Sequence, residues 1–238
     1  MQVAFNISSG NAPFKVKVSD GNNQDTIPDL NQGFNKADFI PQNSGTYNIL
    51  SLMDNKGCYA TQKEGSAKVR IVAVPQAVVG ESALVEGKQY KLSAVRDLGY
   101  GQWKTTEDDQ VTFQPSDTVH NAVVTVNKYG VHHLIWIENN EFCADSAAVE
   151  LVFWMRYTAF SPNNDGKNDY FVIEGLDEYR KELNVFNRWG NEVYSSDNYQ
   201  NNWDGTNKSG NPLPDDTYFY ILKIDGNKGH KGYIVIKR

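Results

Sequence analysis

Short runs of alternating apolar and polar residues, each closed by turn residues, recur along this chain and leave little room for helices. One run, "TYNILSL", ends at the turn residues 54–57, and another, "VHHLIWI", ends at Asn139 and Asn140. Strict alternation is typical of a half-buried β-strand, and Asn, Asp and Gly close such strands in turns. Turn signals that recur every ~8 to 12 residues, without helical periodicity, predict an all-β fold built from sandwiches.

The two runs belong to a longer repeated pattern. Each is followed by a second strand-like run, "AKVRIVAV" after the first and "AAVELVFW" after the second. Recurrence of a whole pattern indicates related modules in tandem, and Pro75 closes the first module because proline cannot donate to a strand ladder. We therefore predict three small immunoglobulin-like β-sandwich domains in tandem, at residues 1–75, 76–154 and 155–238.

Composition and charge exclude several classes of protein. The 238 residues carry a net charge of -6 and no stripe of Lys and Arg, which argues against a nucleic-acid partner. The sequence has no apolar run of about 18 residues that would span a membrane, and no nucleophile, base and orienting residue in a recognisable arrangement, so we predict that it is not an enzyme. The opening "MQVAFNISSG" lacks the basic and apolar regions of a secretory signal. Either the protein is intracellular, or the chain is a C-terminal piece of a longer protein whose signal peptide lies upstream, which is the expectation that the resemblance described below favours.

A loop rich in Asn and Asp, "FSPNNDGKNDYF" at residues 160–171, has three interpretations. Calcium prefers about six to eight oxygen ligands, which Asn163, Asp165, Asn168 and Asp169 would supply in part, although the Glu of an EF-hand loop is missing. Alternatively, Asn and Asp side chains cap their own backbone while Gly166 takes a positive φ. A catalytic pair of Asp165 with Asp169 is not favoured, because both lie on one short loop without a cleft.

The segment after this loop alternates like paired strands. Leu183, Val185 and Val193 predict a hairpin that turns at residues 188–191. Residues 218–224 alternate between two faces, and residues 233–236 return as the partner strand. The stretch "GLDEYRKEL" at residues 175–183 is a helix candidate that fits a polar loop equally well.

Four motifs of this segment, in order, carry a family resemblance. They are "FSPNNDGKNDYF", "LNVFNRWGNEVY", "YQNNWDGTNKSGNPLPDDTYFY" and "KGYIVIKR". In this order they resemble the gliding motility-associated C-terminal domain family, the type B sorting signal of the type IX secretion system in Bacteroidota. The family pattern falls on Phe160, Pro162, Asn163, Asp165, Gly166, Asn168, Asp169, Asn187, Arg188, Trp189, Gly190, Trp203, Asp204, Gly205, Gly232 and Tyr233. Asn164 and Asp216 stand where the family commonly has Gly, and Asn and Asp tolerate left-handed conformations.

The resemblance implies that residues 157–238 are a targeting signal for secretion. Such a domain is bound by the type IX secretion machinery and by a PorP/SprF-like outer-membrane barrel protein, so that its cargo passes through the periplasm and the outer membrane to the cell surface. The positions implied for partner binding are Asn163, Asp165, Gly166, Asn168, Asp169, Asn187, Arg188, Trp189, Gly190, Trp203, Asp204 and Gly205. Trp203 also fits a core position, and Arg188 also fits an internal ion pair.

The preceding modules resemble PKD-like and immunoglobulin-like repeats of large cell-surface adhesins, through "GNAPFKVKVSDG", "SGTYNILSLMDNKGC" and "EGKQYKLSA". Together the resemblances predict the C-terminal fragment of a secreted, non-enzymatic surface adhesin with a link to gliding motility. The alternative is a calcium-dependent module that binds carbohydrate or another surface, with Asn163, Asp165, Asn168 and Asp169 as ligands. Apart from calcium, no cofactor is expected.

Overall fold

A computed structural model describes residues 1–105, 111–226 and 229–238. The regular structure of these residues consists of β-strands and contains no helix, which confirms the predicted all-β class. Within the same ranges, no helix long and apolar enough to cross a membrane is found. The chain divides into two compact units, Met1–Ala73 and Val74–Arg238.

The unit Met1–Ala73 contains six strands in two sheets around one core. The strands are β1 (Gln2–Ile7), β2 (Phe14–Ser19), β3 (Gln24–Leu30), β4 (Gly33–Asp38), β5 (Gly45–Met53) and β6 (Ser66–Val69). β1 pairs with β4, and the second sheet has the order β3-β2-β5-β6. Apolar residues of both sheets are buried together, among them Ile7, Val16, Ile27 and Tyr47.

The first part of the unit Val74–Arg238, which we call the middle module, forms a second core. Its strands are β7 (Val78–Val79), β8 (Ala83–Glu86), β9 (Gln89–Lys91), β10 (Ala94–Val95), β11 (Tyr100–Thr105), β12 (Val111–Gln114), β13 (Val123–Val126), β14 (Gly130–Asn139) and β15 (Ala144–Arg156). One layer contains β11-β14-β15 with β8 on β15, and the other contains β12-β13-β9 and the pair β10-β7. Trp103, Val124, Leu134 and Trp136 lie in this core.

The C-terminal domain is a five-stranded sheet with the order β16-β21-β20-β18-β19. Its strands, together with a short strand that pairs with β15, are β16 (Ala159–Phe160), β17 (Ile173–Glu174), β18 (Lys181–Phe186), β19 (Glu192–Ser196), β20 (Asp216–Ile224) and β21 (His230–Ile236). The predicted hairpin is confirmed as β18-β19, and the predicted alternation of residues 218–224 is confirmed as β20 paired with β21. The helix candidate at 175–183 is a turn that leads into β18, whose alternate side chains enter the core.

Loops and the end of β15 cover the inner face of this sheet. Phe171, Leu176, Tyr199 and Trp203 pack there against Tyr220 and its neighbours. Beyond its partners in the middle module, β15 pairs through Met155 and Arg156 with β17. The predicted domain boundary at residues 154 and 155 therefore falls inside strand β15, and the division into three domains stays a prediction.

Candidate functional site

The four motifs of the C-terminal domain meet at one end of its sheet. β16 and β21 run parallel and finish side by side, with Phe160 beside Ile236. β18 finishes at the same end, because Phe186 pairs with Phe219 near the start of β20. The loop after β16, the turn after β18 and the chain terminus after β21 therefore gather there. We call this region the motif end, defined as residues 161–169, 187–191, 203–205 and 237–238.

The carboxylate of Asp169 organises the loop 161–169. Its Oδ1 accepts hydrogen bonds from the backbone N–H groups of Asn163 (3.1 Å) and Asn164 (2.7 Å), and its Oδ2 accepts one from Gly166 (2.8 Å). Gly166 has a φ of 83° and Asn164 a φ of 61°. Glycine reaches this left-handed region without a steric cost, and Asn tolerates it better than most residues. The loop thus has the geometry of a turn capped by its own side chains.

A second set of hydrogen bonds joins Asn163 to Asp165 in the same loop. The Asn163 Oδ1 accepts from the backbone N–H of Asp165 (3.1 Å), and the Asp165 Oδ1 accepts from that of Lys167 (2.8 Å). In the part of the chain that the structure describes, no cluster of three or more His, Cys, Asp or Glu forms a metal site. Calcium coordination by Asn163, Asp165, Asn168 and Asp169, which would use amide as well as carboxylate oxygens, stays an alternative prediction.

The turn after β18 is also held by an Asn side chain. The Asn187 Oδ1 accepts hydrogen bonds from the backbone N–H groups of Trp189 and Asn191, both at 3.0 Å. Arg188 pairs with Asp216 at 2.6 Å, and its guanidinium lies 4.9 Å from the centre of the Trp189 ring. The Trp189 side chain is 73 % exposed. An exposed Trp under a guanidinium is a feature of contact surfaces, where Trp and Arg are enriched.

The "WDG" motif stabilises the motif end through a buried Trp side chain. Trp203 is 1 % exposed, so it contributes to the core and not to the surface. Its ring packs against Phe160 and stacks on Tyr194, and its Nε1 donates to the Thr206 carbonyl oxygen at 2.8 Å. The Asp204 Oδ1 accepts from the Thr206 hydroxyl at 2.7 Å. Burial of the Trp ring therefore fixes the turn that Asp204 and Gly205 form.

Tyr199 supports this arrangement; it opens the third sequence motif but is not among the positions on which the family pattern falls. Its hydroxyl donates to the Phe171 carbonyl oxygen and accepts from the backbone N–H of Trp203 at 3.2 Å. Burial raises the pKa of Tyr199 well above its ordinary value, because the phenolate would be desolvated. A Tyr four residues before the motif Trp was the available signal, but its second partner, Phe171, lies 28 residues before it in the sequence.

A row of aromatic side chains crosses the outer face of the sheet. Phe186 pairs with Phe219 across β18 and β20, and Phe219 pairs with Tyr233 across β20 and β21. Directly paired residues point to the same face, and Phe219 and Tyr233 are each about half exposed. The alternation of residues 218–224 predicted a mixed outer face, but the neighbours across the sheet become apparent only from the register.

Comparison with known proteins gives the class of this domain. Residues 154–236 match the family model of the CHU_C type IX secretion signal domain. The chain therefore carries a type IX secretion signal, as the motifs predicted. Such a signal implies interaction with the type IX secretion machinery and export to the cell surface or the extracellular space.

The whole chain is also similar, at low sequence identity, to several multidomain structures. A segment of three immunoglobulin domains of titin has a TM-score of 0.39 and 12% identity, over 99% of this chain and 91% of that one. Extracellular domains 3–5 of Drosophila OTK give 0.32 and 9%, over 99% and 91%. Human CDH23 EC21–23 gives 0.30 and 11%, over 94% and 86%. No curated protein matches the sequence.

Proposed function

We propose that the chain is the C-terminal part of a secreted surface adhesin, and that its C-terminal domain is the signal for secretion and surface retention. The observation that carries this proposal is the convergence of the four motifs at one exposed end of the sheet. The start of β21 lies at the opposite end, where the His230 ring packs on Trp154 of the middle module. The motif end therefore points away from the rest of its unit.

Within the motif end, the exposed residues are proposed to contact the partner. Trp189 with Arg188 offers a rigid aromatic and cationic anchor, and the capped loop 161–169 offers a preformed backbone shape. Preformed loops bind without a large ordering cost. Trp203 and Gly205 act as supports. The proposed partners are the type IX machinery and a PorP/SprF-like outer-membrane barrel protein, in a gliding member of the Bacteroidota.

The modules before the signal are proposed to be PKD-like and immunoglobulin-like adhesin repeats without enzymatic activity. In this view they project a binding surface from the cell after passage through the periplasm and the outer membrane. Small β-sandwich modules with their own cores are suited to act as spacers in tandem, because each added module lengthens the array.

A reporter that carries a signal peptide, fused to residues 1–238, tests the export function in a type IX-competent bacterium. We expect the reporter at the cell surface, where added protease degrades it in intact cells. Retention in the periplasm, with the barrel protein present, would contradict the proposal. Trp189→Ala should lower surface display several-fold, whereas Tyr100→Ala, which removes an exposed aromatic ring of the middle module, should leave it unchanged.

A further inference from the structure

Strand β15 is buried on both faces near its end. Leu151 and Phe153 belong to the core of the middle module, whereas Val152 and Trp154 belong to the core of the C-terminal domain. None of the four side chains is more than 3% exposed. Because successive side chains of a strand point to opposite faces, one strand supplies residues to two cores at once.

The apolar contact extends over the neighbouring strands of the middle module. Val152 is paired with Val131 on β14 and with Leu84 on β8. Leu84 and Val131 both pack against the C-terminal core. Paired residues of adjacent strands share a face, so these three side chains form an apolar row on the outer face of the middle sheet. The C-terminal domain covers this row.

Polar and backbone contacts join the same two parts. Arg156 forms an ion pair of 2.5 Å with Glu86 on β8, and its guanidinium lies 5.6 Å from the centre of the Tyr220 ring. The backbone at Gly175 passes so close to β15 that a Cβ there would lie 2.2 Å from the Phe153 carbonyl oxygen. The middle module and the C-terminal domain are thus in close contact, with the backbone of one packed directly against the backbone of the other.

From these contacts we propose that the middle module is a structural part of the sorting signal, so that residues 74–238 fold and are recognised as one unit. Without the middle module, the C-terminal domain would lose Val152 and Trp154 from its core and would expose the residues that they cover. An exposed apolar surface of this kind promotes aggregation. The role in export rests on the proposed function above, whereas the shared folding does not.

Hydrogen exchange of the full chain, measured by mass spectrometry, tests the shared folding. Val124→Ala creates a small cavity in the core of the middle module, on β13, in the sheet that does not contain β15. If the two parts unfold together, slow amides of β20 and of β13 should both exchange at least about tenfold faster, since shared opening transmits the loss of stability. Acceleration confined to β13 would overturn the proposal.

Two further variants keep this test decisive. If Val124→Ala does not fold, Leu92→Val makes a smaller change in the same layer, and the same comparison of β13 with β20 applies. Val18→Ala, in the separate unit Met1–Ala73, is the matched control and should leave exchange in β20 unchanged. Equal acceleration of β20 by Val18→Ala would show that the effect is not specific to the middle module, and would also overturn the proposal.

The export role is tested with the same variants in the reporter fusion to residues 1–238. We expect Val124→Ala to lower surface display several-fold and Val18→Ala to leave it near the wild-type level. Equal display for all three chains would contradict the role in export. If even the wild-type fusion stays in the periplasm, the proposed function fails, while the exchange experiment still decides whether the two parts fold together.

Discussion

The guanidinium of Arg238 donates a hydrogen bond to the Gly205 carbonyl oxygen, 3.2 Å away, and thereby ties the last residue to the "WDG" turn. It also donates to the Leu213 carbonyl oxygen, and the backbone N–H of Arg238 donates to the carboxylate of Asp215 at 3.2 Å. Hydrogen bonds from a charged group to buried carbonyls are stronger than neutral ones. Arg238 therefore joins the "WDG" turn of the motif end to the segment that precedes β20.

We predict that Arg238→Ala lowers the free energy of unfolding by about 1 kcal/mol, the net value of hydrogen bonds at a partly solvated site. Chemical denaturation followed by tryptophan fluorescence measures this, and hydrogen exchange should accelerate at residues 205 and 213. Lys237→Ala is the matched control, because Lys237 bonds to the Phe160 carbonyl oxygen through its backbone N–H, which the substitution keeps. Equal losses in the two variants would show that Arg238 has no specific role.

Two buried tyrosines provide a second matched pair. The Tyr199 hydroxyl bonds to Phe171 and Trp203, whereas the buried Tyr220 hydroxyl has no hydrogen-bond partner among the described residues. Tyr199→Phe should therefore cost about 1–3 kcal/mol of stability, because it leaves two buried backbone groups unpaired, and Tyr220→Phe should be close to neutral. Denaturant unfolding of both variants checks this. A larger loss for Tyr220→Phe would contradict the assignment.

The same tyrosines predict a loss of stability in alkali. Burial raises the pKa of Tyr220 to about 12, whereas a tyrosine in the unfolded chain ionises near pH ~10. Between these values the folded chain keeps a proton that the unfolded chain releases, so stability falls as the pH rises from about 10 towards about 12. Melting temperatures across this range should fall less steeply for Tyr220→Phe than for the wild type. Identical slopes would refute the prediction.

Much of the fold follows from local pattern. In β20 the alternate residues from Tyr218 to Ile224 are buried and their neighbours are more exposed, and this alternation predicts a half-buried strand from the sequence alone. The double burial of β15 was not predictable in this way. The run "LVFW" fits a strand that is buried on both faces, but Leu84 and Val131, which lie beside Val152 in the sheet under the C-terminal domain, are far away in sequence. They become neighbours of β15 only through the order of the strands in the sheet, which local sequence patterns do not determine.

The sequence predicts the motifs of the candidate site, but it does not predict that these motifs lie together at one end of the sheet. Turns capped by Asn and Asp side chains are one predicted interpretation of the loop that contains Asp169, and Asp169 makes such bonds; Asn187 caps its turn in the same way, although no capping role is predicted for it. That the turns share one end of the sheet depends on β16 being parallel to β21. Arg238 was missed for the same reason, since its partners Gly205 and Leu213 become its neighbours only after the sheet has formed.

Two glycines with nearly the same φ should lose different amounts of stability when each is replaced by Ala. Gly175 and Gly190 have φ values of 84° and 83°, but a Cβ at Gly175 would meet the Phe153 carbonyl oxygen, whereas nothing lies within 4 Å of one at Gly190. Gly190→Ala should cost about 1–2 kcal/mol for the left-handed conformation alone. Gly175→Ala should cost about 3 kcal/mol or more, because backbone at the contact with β15 must move.

Denaturant unfolding of the two glycine variants measures this difference directly. If Gly175→Ala destabilises the chain so far that it gives no cooperative unfolding transition, the prediction is met when Gly190→Ala still unfolds cooperatively. Equal free energies of unfolding would mean that the segment at Gly175 does not pack closely on β15.

Calcium titration separates the two remaining interpretations of the loop 161–169. In the capped-turn interpretation the Asp169 carboxylate is already occupied by three backbone N–H groups, so millimolar calcium should leave the melting temperature unchanged. Asp169→Ala should then accelerate hydrogen exchange at residues 163, 164 and 166, with or without calcium, whereas Asp165→Ala should mainly affect residue 167. A melting temperature that rises with calcium, and no longer rises in Asp165→Ala, would instead establish the calcium site, because a metal ligand is needed for that stabilisation.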